Sequence, residues 1–283
     1  MTISVASGKG GTGKTLVSVN LAALMGAGQY ADCDVEEPNG AVFLKPELTG
    51  RDEVLKPVPV IDPGRCTLCR KCSDACRYNA LAALPSRVMV YAELCHGCGL
   101  CNWICPEGAI SEHGASIGTV ETGRRGELGF VRGSLNVGEP MAVPIIRAVR
   151  RAISTEGDAI LDAPPGTSCP VVQSVLGTDF CLMVTEPTPF GLHDLELAVA
   201  MADKLGLRTA VVVNRSDIGD DRVDRFCEAK GIPVLAQIPF DRRIAEVCST
   251  GGLVVEELPD YRPVFEKLLD EVRRLAAGEP ATA

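Results

Sequence analysis

Short uninterrupted apolar runs alternate along this chain with longer segments in which apolar positions recur every three to four residues. TISVAS, AILDAP, FCLMVTE, TAVVVN and VLAQIP read as short strands buried on both faces. LVSVNLAALMGA, GLHDLELAVAMADKLG and DRVDRFCEAKG follow such runs and carry the helical period. Continuous apolar strands separated by helices predict a doubly wound, mostly parallel sheet with helices on both faces, an α/β fold. Residues 116–137 are richer in Gly and alternate, which predicts a hairpin leading into the helix MAVPIIRAVRRAI. A last amphipathic helix, from about Asp260 to Ala276, mixes both charge signs on its polar face. That pattern fits packing on a sheet edge better than a membrane surface, where Lys and Arg dominate.

The pattern breaks between residues 62 and 112. This stretch carries eight of the thirteen cysteines and holds the one internal repeat. It reads as an insertion at 62–112 within a discontinuous domain formed by 1–61 and 113–283. The chain has 283 residues, 46% of them hydrophobic, enough for one substantial core and a small extra module. A net charge of −9 without any basic run argues against nucleic acid or anionic lipid as partners. The opening residues lack the order of a secretory signal, and no apolar run approaches a membrane span, so a cytoplasmic protein without a stable membrane anchor is expected. In that setting an odd, high cysteine count points to metal ligands rather than disulfides.

Residues 8–15, GKGGTGKT, match the phosphate-loop pattern between a strand and a helix. Gly8, Gly10, Gly11, Thr12 and Gly13 let backbone N–H groups approach phosphate, and the helix N-terminus favours the anion. Lys14 is expected at the β- and γ-phosphates and Thr15 at Mg²⁺. Lys9 is an additional lysine that the general pattern does not need. With it, KGGTGKT resembles the deviant loop of the MinD/ParA superfamily of P-loop ATPases, of the SIMIBI class. The resemblance implies that Lys9 reaches the partner's nucleotide in an ATP-bound dimer and supplies charge in trans.

Further segments fit the same superfamily. In ADCDVEEPN, Asp32 and Asp34 lie two apart at a strand end and so share a face. The resemblance puts Asp34 at the attacking water and Asp32 near Mg²⁺. In AILDAPPGT it makes Asp162 the carboxylate holding the Mg²⁺ water shell, with Gly166 sensing the γ-phosphate. Asn214, followed by Arg215 in TAVVVNRSD, matches an adenine-reading asparagine. IPFD, which includes Pro239 and Asp241, resembles the loop that closes over the base.

Cys66, Cys69, Cys72 and Cys76 give C-x₂-C-x₂-C-x₃-C, and Cys95, Cys98, Cys101 and Cys105 give it again, followed by Pro106. This resembles a bacterial ferredoxin domain with two [4Fe–4S] clusters, a small α+β module. In that pattern the fourth cysteine of each run serves the other cluster. One cluster then takes Cys66, Cys69, Cys72 and Cys105, and the other Cys95, Cys98, Cys101 and Cys76. Two zinc sites would need only C-x₂-C pairs. The first run departs from the pattern in ending Cys76-Arg77 instead of Cys-Pro. His96 is expected to be an exposed loop residue. Cys169, three residues past Gly166, resembles a cysteine that binds a shared cluster in the nitrogenase iron protein, though a buried inert thiol is the commoner state. Cys33, Cys181, Cys227 and Cys248 fall in strand or helix patterns.

The combination resembles MinD-superfamily ATPases that carry an inserted ferredoxin domain. It implies slow Mg-ATP hydrolysis, activated by a partner or by dimerisation, with ATP, Mg²⁺ and two [4Fe–4S] clusters. It implies an ATP-dependent homodimer, or a heterodimer with a related ATPase, that couples hydrolysis to electron transfer or to iron–sulfur or metal-cofactor assembly on a partner protein. A spatial or cell-division ATPase with redox-sensing clusters is the alternative. An amide-forming synthetase ranks last, since no glutaminase region is present.

Overall fold

The computed structural model describes residues 1–154 and 156–279. Eleven strands form among them: β1 (Thr2–Ala6), β2 (Gly28–Asp32), β3 (Glu47–Ile61), β4 (Leu81–Ala83), β5 (Val88–Val90), β6 (Ile110–Arg125), β7 (Leu128–Leu135), β8 (Ala159–Asp162), β9 (Phe180–Thr185), β10 (Thr209–Asn214) and β11 (Val234–Ile238). Nine of them make one sheet in the order β11-β10-β9-β1-β8-β2-β7-β6-β3, while β4 and β5 pair separately and antiparallel. From β11 to β7 every neighbouring pair is parallel. The expected mostly parallel α/β sheet is therefore present, and the five apolar runs are its strands β1, β8, β9, β10 and, at one edge, β11.

The chain divides into two compact units. The first comprises Met1–Arg51, Val120–Ser134 and Val143–Ala283, of which 155 and 280–283 lie outside the described residues. Alternate residues of its strands feed two core layers. Ile3, Val5, Ile160, Leu182, Val184, Ala210 and Val212 point to the face covered by the helices Lys14–Met25 and Arg262–Ala277. Ala6, Cys181, Met183, Val211 and Val213 point to the face covered by the helices Cys169–Val175, Pro189–Lys204 and Arg222–Lys230. Burial on both faces is what lets these strands be continuously apolar. Arg262–Ala277 buries Phe265, Leu268 and Val272 against this core, as its apolar stripe requires.

The second unit comprises Asp52–Thr119 and Leu135–Ala142 and is wider than the cysteine segment 62–112. The chain passes between the units inside β3 and inside β6, so strand residues flanking the segment help to build the small unit. Val58 of β3 joins Ala80 and Cys95 in its core, and the His113 ring bonds the Val58 carbonyl oxygen at 3.1 Å. A Lys56–Glu139 ion pair of 2.8 Å, almost buried, ties Leu135–Ala142 to β3. Strand β3, with its charges and Pro57 and Pro59, shows no apolar run, and its fifteen residues escape a search based on hydrophobic pattern. The hairpin expected over 116–137 is the β6–β7 pair, turning at Gly126 with φ +57°. No helix of the described residues is long and apolar enough to cross a membrane.

Candidate functional site

In the first unit, β1 ends at Ala6 and the loop Ser7–Gly13 leads directly into the helix Lys14–Met25. Gly11 and Gly13 take φ of +82° and +92°, values open to glycine at low cost. Gly13 also has no room for a side chain, because a Cβ there would lie 2.2 Å from Nδ2 of Asn214. That amide donates to the carbonyl oxygen of Thr12 at 2.9 Å, and the Asn214 side-chain oxygen accepts from the N–H of Arg215 at 3.0 Å. Asn214, at the end of β10, thus holds the loop from a neighbouring strand. Thr12 Oγ1 is buried without a partner among the described residues.

The loop opens on a cavity of about 480 Å³. Gly10, Gly11, Gly13, Lys14, Thr15, Asp34, Asn214, Arg215, Pro239 and Asp241 all line it, joined by the apolar Phe43, Phe240, Ile244 and Cys248. Gly8, Lys9, Thr12, Asp32 and Asp162 stand outside this lining.

On the cavity wall, Lys14 Nζ donates to the buried Asp162 Oδ1 at 2.5 Å and lies 3.7 Å from Asp34 Oδ2. Burial opposes the ammonium charge, but Asp162, Asp34 and Asp32 outweigh it and raise the Lys14 pKa. Burial pushes the Asp34 carboxyl up to about 6, against the pull of Lys14. Asp32 is fully buried, and burial, helped by the neighbouring Asp162, raises it well above the ordinary carboxylate range. One Asp32 oxygen accepts from the N–H of Asp34 at 3.1 Å and the other from the N–H of Gly40 at 2.8 Å. Its side chain closes the turn that carries Asp34.

Lys9 lies 3.6 Å from Glu186, and the same carboxylate takes Arg215 Nη1 at 2.5 Å. The Lys9 side chain is 33% exposed, so it occupies an open face of the unit rather than the cavity. Gly166 has φ +97° and donates its N–H to the Ser7 carbonyl oxygen at 2.9 Å. Asp241 caps the helix Arg242–Ser249 through the N–H of Arg243, pairs with the Arg243 guanidinium and accepts from the Tyr261 hydroxyl. Bonding to Arg243 holds its carboxyl down at about 2. Cys169 is exposed at the start of the helix Cys169–Val175, unlike the buried thiol that is commoner for free cysteine. Cys33, Cys181 and Cys227 are buried, and Cys248 lies half-buried on the cavity wall.

Two residues had no sequence signal. Tyr30 of β2 is fully buried, and its hydroxyl donates to Asp162 Oδ2 at 3.0 Å. Glu186, which follows β9, holds Lys9 and Arg215 while itself buried. A phenol inside a strand buried on both faces must find an acceptor, and that rule alone could have marked Tyr30.

In the second unit the two cysteine runs fold alike. Leu68 and Gly97, Arg70 and Gly99, and Asn79 and Gly108 occupy matching positions, and all six have positive φ between 53° and 73°. Short helices follow at matching places, Lys71–Ala75 and Leu100–Ile104. One cavity, of about 240 Å³, is lined by Cys95, Cys98, Cys101 and Cys76, and a smaller one by Cys66, Cys69, Cys72 and Cys105. Burial, and then the sulfurs of Cys95 and Cys98, push the Cys101 thiol up to about 11. Burial, and then Cys66 and Cys105, raise Cys72. N–H groups of Gly97 and Ala109 point to Cys95 Sγ at 3.4 Å and Cys105 Sγ at 3.3 Å. Among the described residues no group of three or more His, Cys, Asp or Glu has the convergence of a single-ion site. His96 is exposed and stacks on Tyr78 with centroids 3.7 Å apart.

Comparison with known proteins agrees with the loop and sheet. An uncharacterized protein of Methanocaldococcus jannaschii is 30% identical over 95% of this chain and 96% of its own length. The septum site-determining protein MinD of Pyrococcus horikoshii, solved with Mg-ADP, covers 99% of each chain with a TM-score of 0.61 at 19% identity, a likeness of fold. A cytosolic Fe-S cluster assembly factor, the Nubp2 homolog of Anopheles gambiae, is 28% identical over 41% of this chain and 51% of its own. Residues 3–254 match the CobQ/CobB/MinD/ParA nucleotide binding domain, and the chain belongs to that family.

Proposed function

We propose that this chain is a Mg-ATP-binding and hydrolysing dimerisation switch that carries two [4Fe–4S] clusters, the second compact unit acting as an inserted ferredoxin-like domain. It couples hydrolysis to electron transfer, or to iron–sulfur or metal-cofactor assembly, on a partner protein. The observation that carries the reading is the crossed grouping of cysteines. Each cavity of the small unit is lined by three cysteines of one run and the fourth of the other. That is the grouping a two-cluster ferredoxin needs. Two zinc sites would need only C-x₂-C pairs, and the repeated third and fourth cysteines favour a polynuclear cluster. The relative from Anopheles gambiae that matches 41% of this chain is an Fe-S cluster assembly factor, which supports the same direction.

In the first unit, loop amides from Gly10 to Thr15 hold the phosphates and Lys14 leaves Asp162 to meet them. Thr15 and Asp162 hold Mg²⁺, which when bound neutralises charge on the phosphate oxygens. Asp34 orients the attacking water, and Asp32 keeps the Asp34 turn in shape. Asn214 and Arg215, with the segment from Pro239 to Asp241, bound the base end of the cavity. Lys9 leaves Glu186 and crosses to a second protomer, which makes hydrolysis slow in the monomer. The clusters, when bound, supply one-electron chemistry.

The test is anaerobic. Reconstituted protein is assayed for iron, sulfide and ATPase. Cluster potential and light scattering are then followed with ADP and with a non-hydrolysable ATP analogue. The expected result is a dimer and a shifted potential with the ATP analogue alone. A potential indifferent to nucleotide in a permanent monomer would refute the coupling. Dimerisation with an unchanged potential would favour a spatial ATPase.

A further inference from the structure

Asp162 has no free oxygen in this structure: Lys14 takes Oδ1 and the Tyr30 hydroxyl takes Oδ2. The lysine is a mobile partner, since its ammonium is needed at phosphate. The phenol is a fixed one. Tyr30 lies in β2 between β8, which carries Asp162, and β7, with none of its surface exposed. Its ring stacks on Phe130 with centroids 5.8 Å apart. On the other side it meets Gly40, the first residue of the short helix Gly40–Leu44. A Cβ at Gly40 would lie 2.4 Å from Tyr30 Cε1 and 2.5 Å from its hydroxyl oxygen. Gly40 in turn donates its N–H to Asp32, whose other oxygen holds the N–H of Asp34. One phenol therefore touches both the carboxylate beneath the phosphate loop and the backbone that carries Asp34.

We infer that Tyr30 is a positioning residue for Mg²⁺: its hydroxyl fixes the orientation of Asp162 when Lys14 leaves, and Gly40 is kept free of a side chain so that the hydroxyl can reach. A carboxylate that loses one of two donors rotates unless the other holds it, and hydrogen-bond partners behind a metal-ordering carboxylate typically change metal affinity or activity by about 10- to 100-fold when removed. The phenol acts through Asp162 and touches neither nucleotide nor metal. This inference rests on the Mg-ATP reading above.

The test uses the full chain. Tyr30→Phe keeps the ring and its packing and deletes the hydroxyl. Binding of a fluorescent ATP analogue is titrated with Mg²⁺ at equilibrium, and kcat and KM for ATP are measured separately. The expected result is a rise of about tenfold in the Mg²⁺ concentration at half-saturation. kcat should fall while metal-free nucleotide binding stays unchanged. Gly40→Ala, which crowds the hydroxyl without removing it, should give the same Mg²⁺ shift and add little to Tyr30→Phe in the double variant. An unchanged Mg²⁺ titration in Tyr30→Phe, in protein that melts like wild type, overturns the assignment. If Tyr30→Phe does not fold, the Gly40→Ala titration decides by the same criterion. Wild-type protein whose nucleotide binding ignores Mg²⁺ overturns the reading on which it rests, and is recognised before any variant is made.

Discussion

The side-chain amide of Asn214 donates to the carbonyl oxygen of Thr12 at 2.9 Å, tying the end of β10 to the phosphate loop across 202 residues of sequence. The residue expected to read a base is also the tether of the loop beneath the phosphates. Asn214→Ala should weaken nucleotide binding by about tenfold, the worth of roughly 1–2 kcal/mol for a buried carbonyl left without its donor. Calorimetric titration with ADP checks this. A change below about twofold would mean that the loop keeps its shape unaided.

Lys14 is the cation on which three buried or half-buried carboxylates depend. Lys14→Met should abolish ATPase and also destabilise the nucleotide-free protein. Breaking a buried pair costs about 3–5 kcal/mol, and protonation of the stranded carboxylates will reduce that figure. Adding Asp162→Asn should recover part of the stability and none of the activity. Chemical denaturation of the two variants measures both statements.

The two cysteine runs share a backbone path but not their residues at its left-handed positions. Gly97 has φ +62°, and a Cβ there would meet Pro57 at 3.0 Å. Gly97→Ala should cost about 1–2 kcal/mol from the backbone alone and reduce iron retention at the cavity containing Cys95. The first copy bears the same conformation at Leu68 with φ +56°, so Leu68→Ala should leave the backbone cost unchanged. Denaturation curves and iron counts per chain separate the two.

Crossed grouping has a consequence for double variants. Cys105→Ser and Cys66→Ser face the same cavity, so together they should cost no more iron than one alone, about half the total. Cys66→Ser with Cys76→Ser strikes both cavities and should empty both. Iron and sulfide after anaerobic reconstitution give the answer. Equal losses in the two double variants would overturn the grouping.

Asp241 provides a pH signature. Its carboxyl is held at about 2 by hydrogen bonds from Arg243, below the ordinary 3.8. A depressed carboxyl stabilises the fold above the unfolded value, and the contribution is lost as pH falls from about 4 towards 2. Asp241→Asn should therefore be less stable than wild type at pH 6, and the gap should close through that window. Melting temperatures from pH 6 to pH 2 test the sign.

Much of this architecture is legible in the amino-acid pattern. Strands β1, β8, β9 and β10 announce themselves because burial on both faces demands continuous apolar residues. The phosphate loop does so because only a glycine-rich turn lets backbone N–H groups surround an anion. β3 stayed hidden because a strand with charges and two prolines has no apolar run to show. The period of a strand puts Asp32 and Asp34 on one face, but it does not show what the Asp32 side chain holds. The chain turns after Asp32, and its side chain folds back to close that turn.

The sequence by itself determined the motifs whose chemistry is local: the loop Gly8–Thr15, the two cysteine runs, and the period of each buried strand. Spacing along the chain is enough there for the loop, for the strands and for the first three cysteines of each run, whose groups are neighbours in sequence. The tertiary structure alone decided which distant groups meet. Tyr30 reaches Asp162 across 132 residues, Lys9 finds Glu186, and Asn214 holds Thr12. A buried polar group must find a partner, but the order of strands in the sheet chooses which one.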